Sequence, residues 1–275
     1  MMGLSVFAWL GAMAIGVSLG LLGSGGSILT VPVLVYLVGQ EEKVAIAGSL
    51  AIVGTIALAG SLPKLKKGQI EWRTILVFAP PGMLGTYLGA SLASWVSGAV
   101  QLALFAVVML LAAWRMLKPM AVASDTPSAV RNTQVSSASV GSTGPLEFWK
   151  IAPAGLMVGI ITGLVGVGGG FLIVPALVLL GGLTMRRAVA TSLVIIAIQS
   201  YTGFWKYQHV LNEHGLALDW QVIGMVTALG VAGSLVGNLI SDRVDQQKLK
   251  KIFALFLVVM AVYILIRTLP SVWPV

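Results

Sequence analysis

Two glycine clusters carry most of the chemistry this chain offers. In Gly23-Ser24-Gly25-Gly26-Ser27 and again in Gly166-Val167-Gly168-Gly169-Gly170 the residues have almost no Cβ bulk. The backbone can therefore turn sharply there and present N–H groups at the start of the apolar run that follows. A helix that begins this way has a positive end and attracts anions. Pro32 and Pro175, each about a turn and a half into the following run, fit a local break in it, although a proline by itself makes only a kink. Ser49 and Ser192 occupy matching places on the next run, and Thr191 precedes the second of them. Ser192, Gln199 and Lys206 then recur at a seven-residue spacing, which sets them along one helical stripe like the wall of a polar path. Ser24, Gly25, Gly26, Ser27, Ser49, Gly168, Gly169, Gly170, Thr191, Ser192 and Gln199 are the candidate binding residues, with Pro32 and Pro175 as hinges. For an isolated glycine pair, close helix packing would be the simpler account, and hydrogen bonding between helices would serve for the Ser, Thr and Gln residues. Two clusters at repeated positions favour binding.

The elements that hold these clusters are themselves repeated. The stretch Gly20–Pro32 returns as Gly163–Pro175, and at the same offset Ala45, Ala47, Ser49 and Leu50 match Ala188, Ala190, Ser192 and Leu193. Further on, Trp72, Gly82, Gly85 and Gly89 match Trp220, Gly230, Gly233 and Gly237. Apolar segments fall near 4–22, 27–38, 44–62, 74–95 and 99–117, and then near 150–166, 170–182, 187–205, 219–240 and 250–269. Residues 1–117 and 148–275 thus form two copies of one unit. The Ser-, Thr-, Ala- and Pro-rich stretch 118–147 between them reads as a flexible linker.

Composition fixes the surroundings. The chain has 275 residues, of which 57% are hydrophobic and 9% charged, against roughly 25% charged in soluble domains. Several segments suit about 30 Å of hydrocarbon. An all-α polytopic membrane protein follows. The first apolar segment has no Lys or Arg before it, so it is expected to be retained rather than cleaved as a signal peptide. There is no cysteine, which removes disulfides, thiolate metal sites and thiol nucleophiles. The net charge of +8 sits in short loops, where membrane topology rather than nucleic acid accounts for it.

Charge also predicts how the copies are related. Lys64, Lys66, Lys67 and Arg73 lie in a loop whose counterpart has Lys206 beside Glu213 and Asp219, whereas Arg243, Lys248, Lys250 and Lys251 answer an uncharged loop near 96–100. The bias changes sides, as inverted repeats require. With the basic loops in the cytoplasm of a bacterial-type inner membrane, both termini lie outside and the linker lies inside. The first two segments of each half are short. They form either a re-entrant hairpin, with the glycines at mid-depth, or two full spans.

The acidic residues, among them Glu41, Glu42, Glu71, Glu213 and Asp219, all fall in loops or at segment ends. A proton- or cation-coupled carrier ordinarily needs a carboxylate within a span. His209 and His214 lie in an outer loop. No nucleophile–base pair or metal-ligand spacing occurs, so neither enzymatic activity nor a metal or other cofactor is expected. The remaining classes are a transporter of a small anion, driven by voltage or coupled to an ion, and a channel or membrane scaffold without turnover. A homodimer in the lipid bilayer is compatible with either.

Both glycine clusters with their Val-Pro tails, followed by Ala-Gly-Ser-Leu at 47–50 and Ala-Thr-Ser-Leu at 190–193, resemble the TauE/SafE family of sulfite and organosulfonate exporters. The resemblance covers nearly the whole chain apart from the linker. It implies export of a small sulfur-containing anion such as sulfite, sulfoacetate or a related sulfonate. Gly168, Gly169, Gly170, Pro175, Thr191 and Ser192 match the stronger copy of the motif. The first copy departs from it at Ser27 and Gly48.

Overall fold

A computed structural model describes residues 6–22, 26–117, 145–213, 215–240 and 246–272. Among the described residues there are ten α-helices and no strand. In chain order they are α1 (Val6–Leu22), α2 (Gly26–Pro32), α3 (Glu42–Lys66), α4 (Trp72–Ala93) and α5 (Gly98–Leu117), then α6 (Pro145–Val165), α7 (Gly170–Leu179), α8 (Met185–Glu213), α9 (Trp220–Ile240) and α10 (Gln246–Val272). Most begin and end within a few residues of an apolar segment of the sequence, because in hydrocarbon only a helix satisfies every backbone group internally. α8 runs eight residues past the apolar limit at 205, to Glu213, so Lys206 and His209, expected in a loop, lie in its last turns, the His209 ring beside Trp205. Four helices, those at 42–66, 72–93, 186–213 and 220–240, are long and apolar enough to cross a membrane, and shorter apolar helices accompany them. The protein is an all-α polytopic membrane protein. Most of the 118–147 linker, Ser24, Gly25 and His214 lie outside the described residues.

The short segments fold back as hairpins. A Cβ on Gly26 would meet the backbone of Ile15 and Leu19, and one on Gly11 would meet Val33 and Leu37. The chain after the first cluster therefore returns antiparallel along α1. In the second half α7 has ten residues, about 15 Å at 1.5 Å per residue, roughly half a bilayer. The two prolines behave differently. Pro32 closes α2, and the next five residues, Val33–Leu37, wind as a π-helix in which the Val38 N–H reaches back to the Val33 carbonyl at 3.0 Å. Pro175 lies inside α7, which continues as α-helix to Leu179.

Helix packing exchanges elements between the halves. α1 lies parallel to α9: Gly16 meets Gly230, and Gly20 meets Ser234 and Asn238. α4 lies parallel to α6 in the same manner, Gly82 against Gly159 and Gly89 against Ile160 and Leu164. In both seams a Cβ would fall less than 3.0 Å from backbone of the partner helix. These glycines are what allows the backbones to approach so closely. α3 and α8 cross at the centre with opposite direction. Gly54 packs on Ser200 and Tyr201, Leu50 on Gly203, and the Thr55 and Tyr201 hydroxyls are 2.9 Å apart.

The helix ends gather at two faces. At one, Gly98 meets Glu42 and the Tyr36 ring meets Tyr263, with centroids 5.1 Å apart. At the other, the Glu71 N–H donates to Thr191 Oγ1 at 3.0 Å and Arg187 pairs with Glu71 at 3.4 Å. Between the faces, large apolar side chains such as Leu76, Leu84 and Leu239 are exposed. Such a surface suits lipid rather than water.

Candidate functional site

The second glycine cluster forms a turn that needs its glycines. Gly166, Gly168 and Gly169 have φ of +73°, +40° and +61°, in the left-handed region that side chains disfavour. Gly169 is the N-cap of α7, and the N–H groups of Leu172 and Ile173 both reach its carbonyl, at 2.9 and 3.1 Å. Ahead of them, the N–H groups of Gly170 and Phe171 belong to the first turn, which has no intrahelical acceptor. The positive end of α7 therefore points into this turn.

Residues of both halves enclose it. Positions for a Cβ on Gly166 and Gly168 are taken by Ile46 and Val53 of α3 and by Ile196 and Ser200 of α8. Val53, Ile196 and Ser200 lie near the middle of α3 and α8, and Ile46 one turn into α3, so the turn sits beside their crossing. Ser49 Oγ donates to the Gly166 carbonyl at 2.5 Å, with the carbonyl of Ile46 in its own helix at 2.7 Å. The first half thus holds the turn of the second. Gly168, Gly169, Gly170 and Ser49 are all buried.

Two residues at this turn are not evident from the sequence. Thr162 Oγ1 occupies the place a Cβ of Gly169 would take, and Ser200 Oγ lies 3.2 Å from the Cβ position of Gly168. Thr162 and Ser200 are fully buried, and neither hydroxyl has a hydrogen-bond partner. The available signals were weak: Thr162 lies one helical turn before the cluster, and Ser200 directly follows Gln199.

The other candidates are placed variously. Gln199 is completely buried with both amide atoms unpartnered, and its Nε2 fills the space beside Gly82, which also faces the Gly155 carbonyl. Lys206 is farther along the same stripe, its Nζ 5.4 Å from the centre of the Tyr87 ring. The stripe thus follows α4. At the matching place of the first half, Ile56 covers Gly230, so the polar wall belongs to the second half alone. Thr191 is committed to the loop at Glu71, and Ser192 Oγ donates to the Val189 carbonyl at 2.9 Å. Gly26 and Ser27 open α2 and are buried, Gly26 against the backbone of α1. Where Gly169 faces a hydroxyl, Gly26 faces packed backbone.

Among the described residues, acidic groups stay at the helix ends. Glu42 is in the first turn of α3, Glu71 is the N-cap of α4, Glu213 ends α8, and Asp219 Oδ1 accepts the N–H groups of Gln221 and Val222 at 3.0 and 3.1 Å at the start of α9. No group of three or more His, Cys, Asp or Glu able to hold a metal occurs among the described residues.

Short helices packed between membrane-length helices, with a buried turn of neutral donors among them, define a multi-pass membrane protein. The family model for the sulfite exporter TauE/SafE matches residues 8–264, and the chain belongs to that family. It is similar to a probable membrane transporter protein of Xylella fastidiosa (strain 9a5c), with 31% identity over 260 residues, covering 94% of this chain and 93% of the relative. The probable membrane transporter protein YunE of Bacillus subtilis is 27% identical over 254 residues, with 86% and 89% covered. A probable membrane transporter protein of Haemophilus influenzae is 25% identical over 272 residues, with 94% and 96% covered. No solved structure matches the chain.

Proposed function

We propose that this transporter exports a small sulfur-containing anion, sulfite as its singly charged hydrogensulfite or an organosulfonate with one charge, across a bacterial-type inner membrane. The observation that carries the proposal is the glycine turn at the start of α7, buried beside the α3–α8 crossing with the positive helix end directed into it. The family description, which names sulfite export, supports the substrate class. In this reading Gly168, Gly169 and Gly170 bind through backbone N–H groups, Ser49 fixes the turn, and the first cluster, Ser24 to Ser27, contributes from the opposite hairpin. Gln199, whose amide is unpartnered, lines the second half's side of the route, while Thr191 holds the loop at Glu71.

The halves act as inverted copies, with 1–117 and 148–275 joined by a cytoplasmic linker. The opposite directions of the equivalent helices α3 and α8 support that relation, since a rotation that reverses a helix exchanges the two sides of the membrane. Lys64, Lys66, Lys67, Arg73, Arg186 and Arg187 belong to the ends joined by the Glu71–Thr191 and Glu71–Arg187 contacts. The positive-inside bias puts those ends in the cytoplasm and both termini outside. A monovalent anion leaving an inside-negative cell gains about 2.3 kcal/mol per 100 mV. Export therefore needs no coupling ion.

The test is flux in proteoliposomes with radiolabelled methanesulfonate, sulfite, acetate and chloride, together with counterflow. Saturable uptake of the sulfur oxyanions with trans-stimulation is expected. Flux that never saturates would indicate a channel, and flux that requires a sodium or proton gradient would indicate coupled uptake.

A further inference from the structure

Hydroxyls within these helices follow a rule with few exceptions. Thr30, Thr55, Thr86 and Thr202 each donate to the carbonyl four residues back, at 2.8–3.4 Å. Ser61 and Ser192 reach three residues back, at 2.7 and 2.9 Å. Such back-bonding is how a buried hydroxyl in an apolar helix ordinarily avoids the cost of an unmade hydrogen bond. Thr162 and Ser200 depart from it although they are completely buried. They come from different helices, yet both stand at the turn that opens α7, where the first backbone N–H groups of the helix have no intrahelical acceptor.

We infer that Thr162 and Ser200 are the side-chain ligands of a singly charged oxyanion seated at the Gly168–Gly170 turn, and that this donor set selects one negative charge over two. The inference rests on the transport proposal above and adds the ligating residues and the charge class. An oxyanion accepts several hydrogen bonds at once. Placed here it would take the two hydroxyls and the first N–H groups of α7, and each lone donor would acquire a partner. The charge class follows from what surrounds the turn. Apart from these hydroxyls the nearest side chains to Gly166 and Gly168 are Ile46, Val53 and Ile196, all apolar. The positive end of a helix amounts to about half an elementary charge, so it offsets much of one negative charge and little of a second. A second charge at this depth would be buried without compensation, which is prohibitive. Packing does not explain the two hydroxyls, because each would lie more cheaply on its own helix.

The experiment compares the wild type with Thr162→Val, Ser200→Ala and the double variant, measuring KM and maximal flux for methanesulfonate in proteoliposomes and the anion-induced rise in melting temperature in detergent. Removing a hydrogen bond to a charged ligand costs about tenfold or more in affinity. Each single variant should raise KM by about that factor, and the double variant should abolish the melting shift while its ligand-free melting temperature stays near that of the wild type. Thr162→Ser keeps the hydroxyl and should restore KM. Ser234, another buried and unpartnered hydroxyl, packs on Gly60, and Ser234→Ala should leave KM unchanged. Sulfate should compete poorly with methanesulfonate in the wild type. An unchanged KM in the double variant would overturn the assignment while transport itself stood, and efficient carriage of sulfate would overturn the charge class. A wild type with no saturable flux of any anion would remove the transport proposal and this inference together.

Discussion

Replacing Gly169 with alanine adds one methyl group to a turn that has two separate reasons to reject it. The residue sits at φ +61°, where an L side chain costs about 1–2 kcal/mol. The new Cβ would also fall within 3.0 Å of Thr162 Oγ1 and 3.3 Å from Thr162 Cβ, and overpacking of that kind costs a further 1–3 kcal/mol or so. Gly68 separates the two effects, because its φ of +64° is nearly the same and nothing lies within 4 Å of its Cβ position. Gly68→Ala should therefore lose only about 1–2 kcal/mol, and Gly169→Ala about 2–5 kcal/mol. Removing the Thr162 hydroxyl relieves the contact, so Gly169→Ala with Thr162→Ala should be less than additive by roughly 1–3 kcal/mol. Equilibrium unfolding in mixed micelles titrated with SDS, followed by tryptophan fluorescence, measures all four. Gly169→Ala should also lose anion flux, and Gly68→Ala should keep it. Equal destabilisation by the two alanines, or full additivity in the pair, would refute the placement of Thr162 against the turn.

Two further outcomes are expected. Single cysteines in this cysteine-free chain should react with an impermeant maleimide from outside at Gly39 and Leu216 and from inside at Gly68, and the reverse pattern would refute the orientation drawn from charge. In the helix seams, Gly159→Ala would place a Cβ less than 3.0 Å from the Gly82 carbonyl oxygen, while Gly224→Ala meets nothing within 4 Å. The first should lower stability by about 1–3 kcal/mol and the second raise it by up to about 1 kcal/mol through helix propensity, read in the same SDS titration; equal effects would refute close seam packing.

The fold was largely legible because a bilayer leaves the backbone few choices. Long apolar runs must be helices, and most segment limits read from the sequence fall near a helix end, the exception being 205, past which α8 continues through polar residues to Glu213. The glycines at 82, 85 and 89 were legible as a repeated stripe, and the structure shows what the stripe meets, the backbone of α6 at Gly85 and Gly89. The site was legible only as backbone. The clusters mark where the chain turns, but which hydroxyl answers the turn depends on a neighbour distant in sequence. Thr162 resembles Thr86 or Thr202 until its own helix is seen to leave it unbonded. Gln199 shows the limit of periodicity, because a seven-residue spacing gives a common face without giving what that face meets, and here it meets Gly82. Thr191, beside Ser192, proves to hold the loop at Glu71. The paired prolines diverge because the first hairpin winds into a π-helix after Pro32 while α7 remains regular, a difference of local packing that identical Val-Pro dipeptides do not encode.

The central claim, a carrier of a small anion driven by voltage, is tested most directly by the initial flux of methanesulfonate, whose charge is fixed, in proteoliposomes under a potassium–valinomycin potential and separately under a pH step at zero potential. The placement of Glu42, Glu71, Glu213 and Asp219 at helix ends predicts saturable flux that follows the potential and barely responds to the pH step. Flux that follows the pH step and ignores the potential would contradict it.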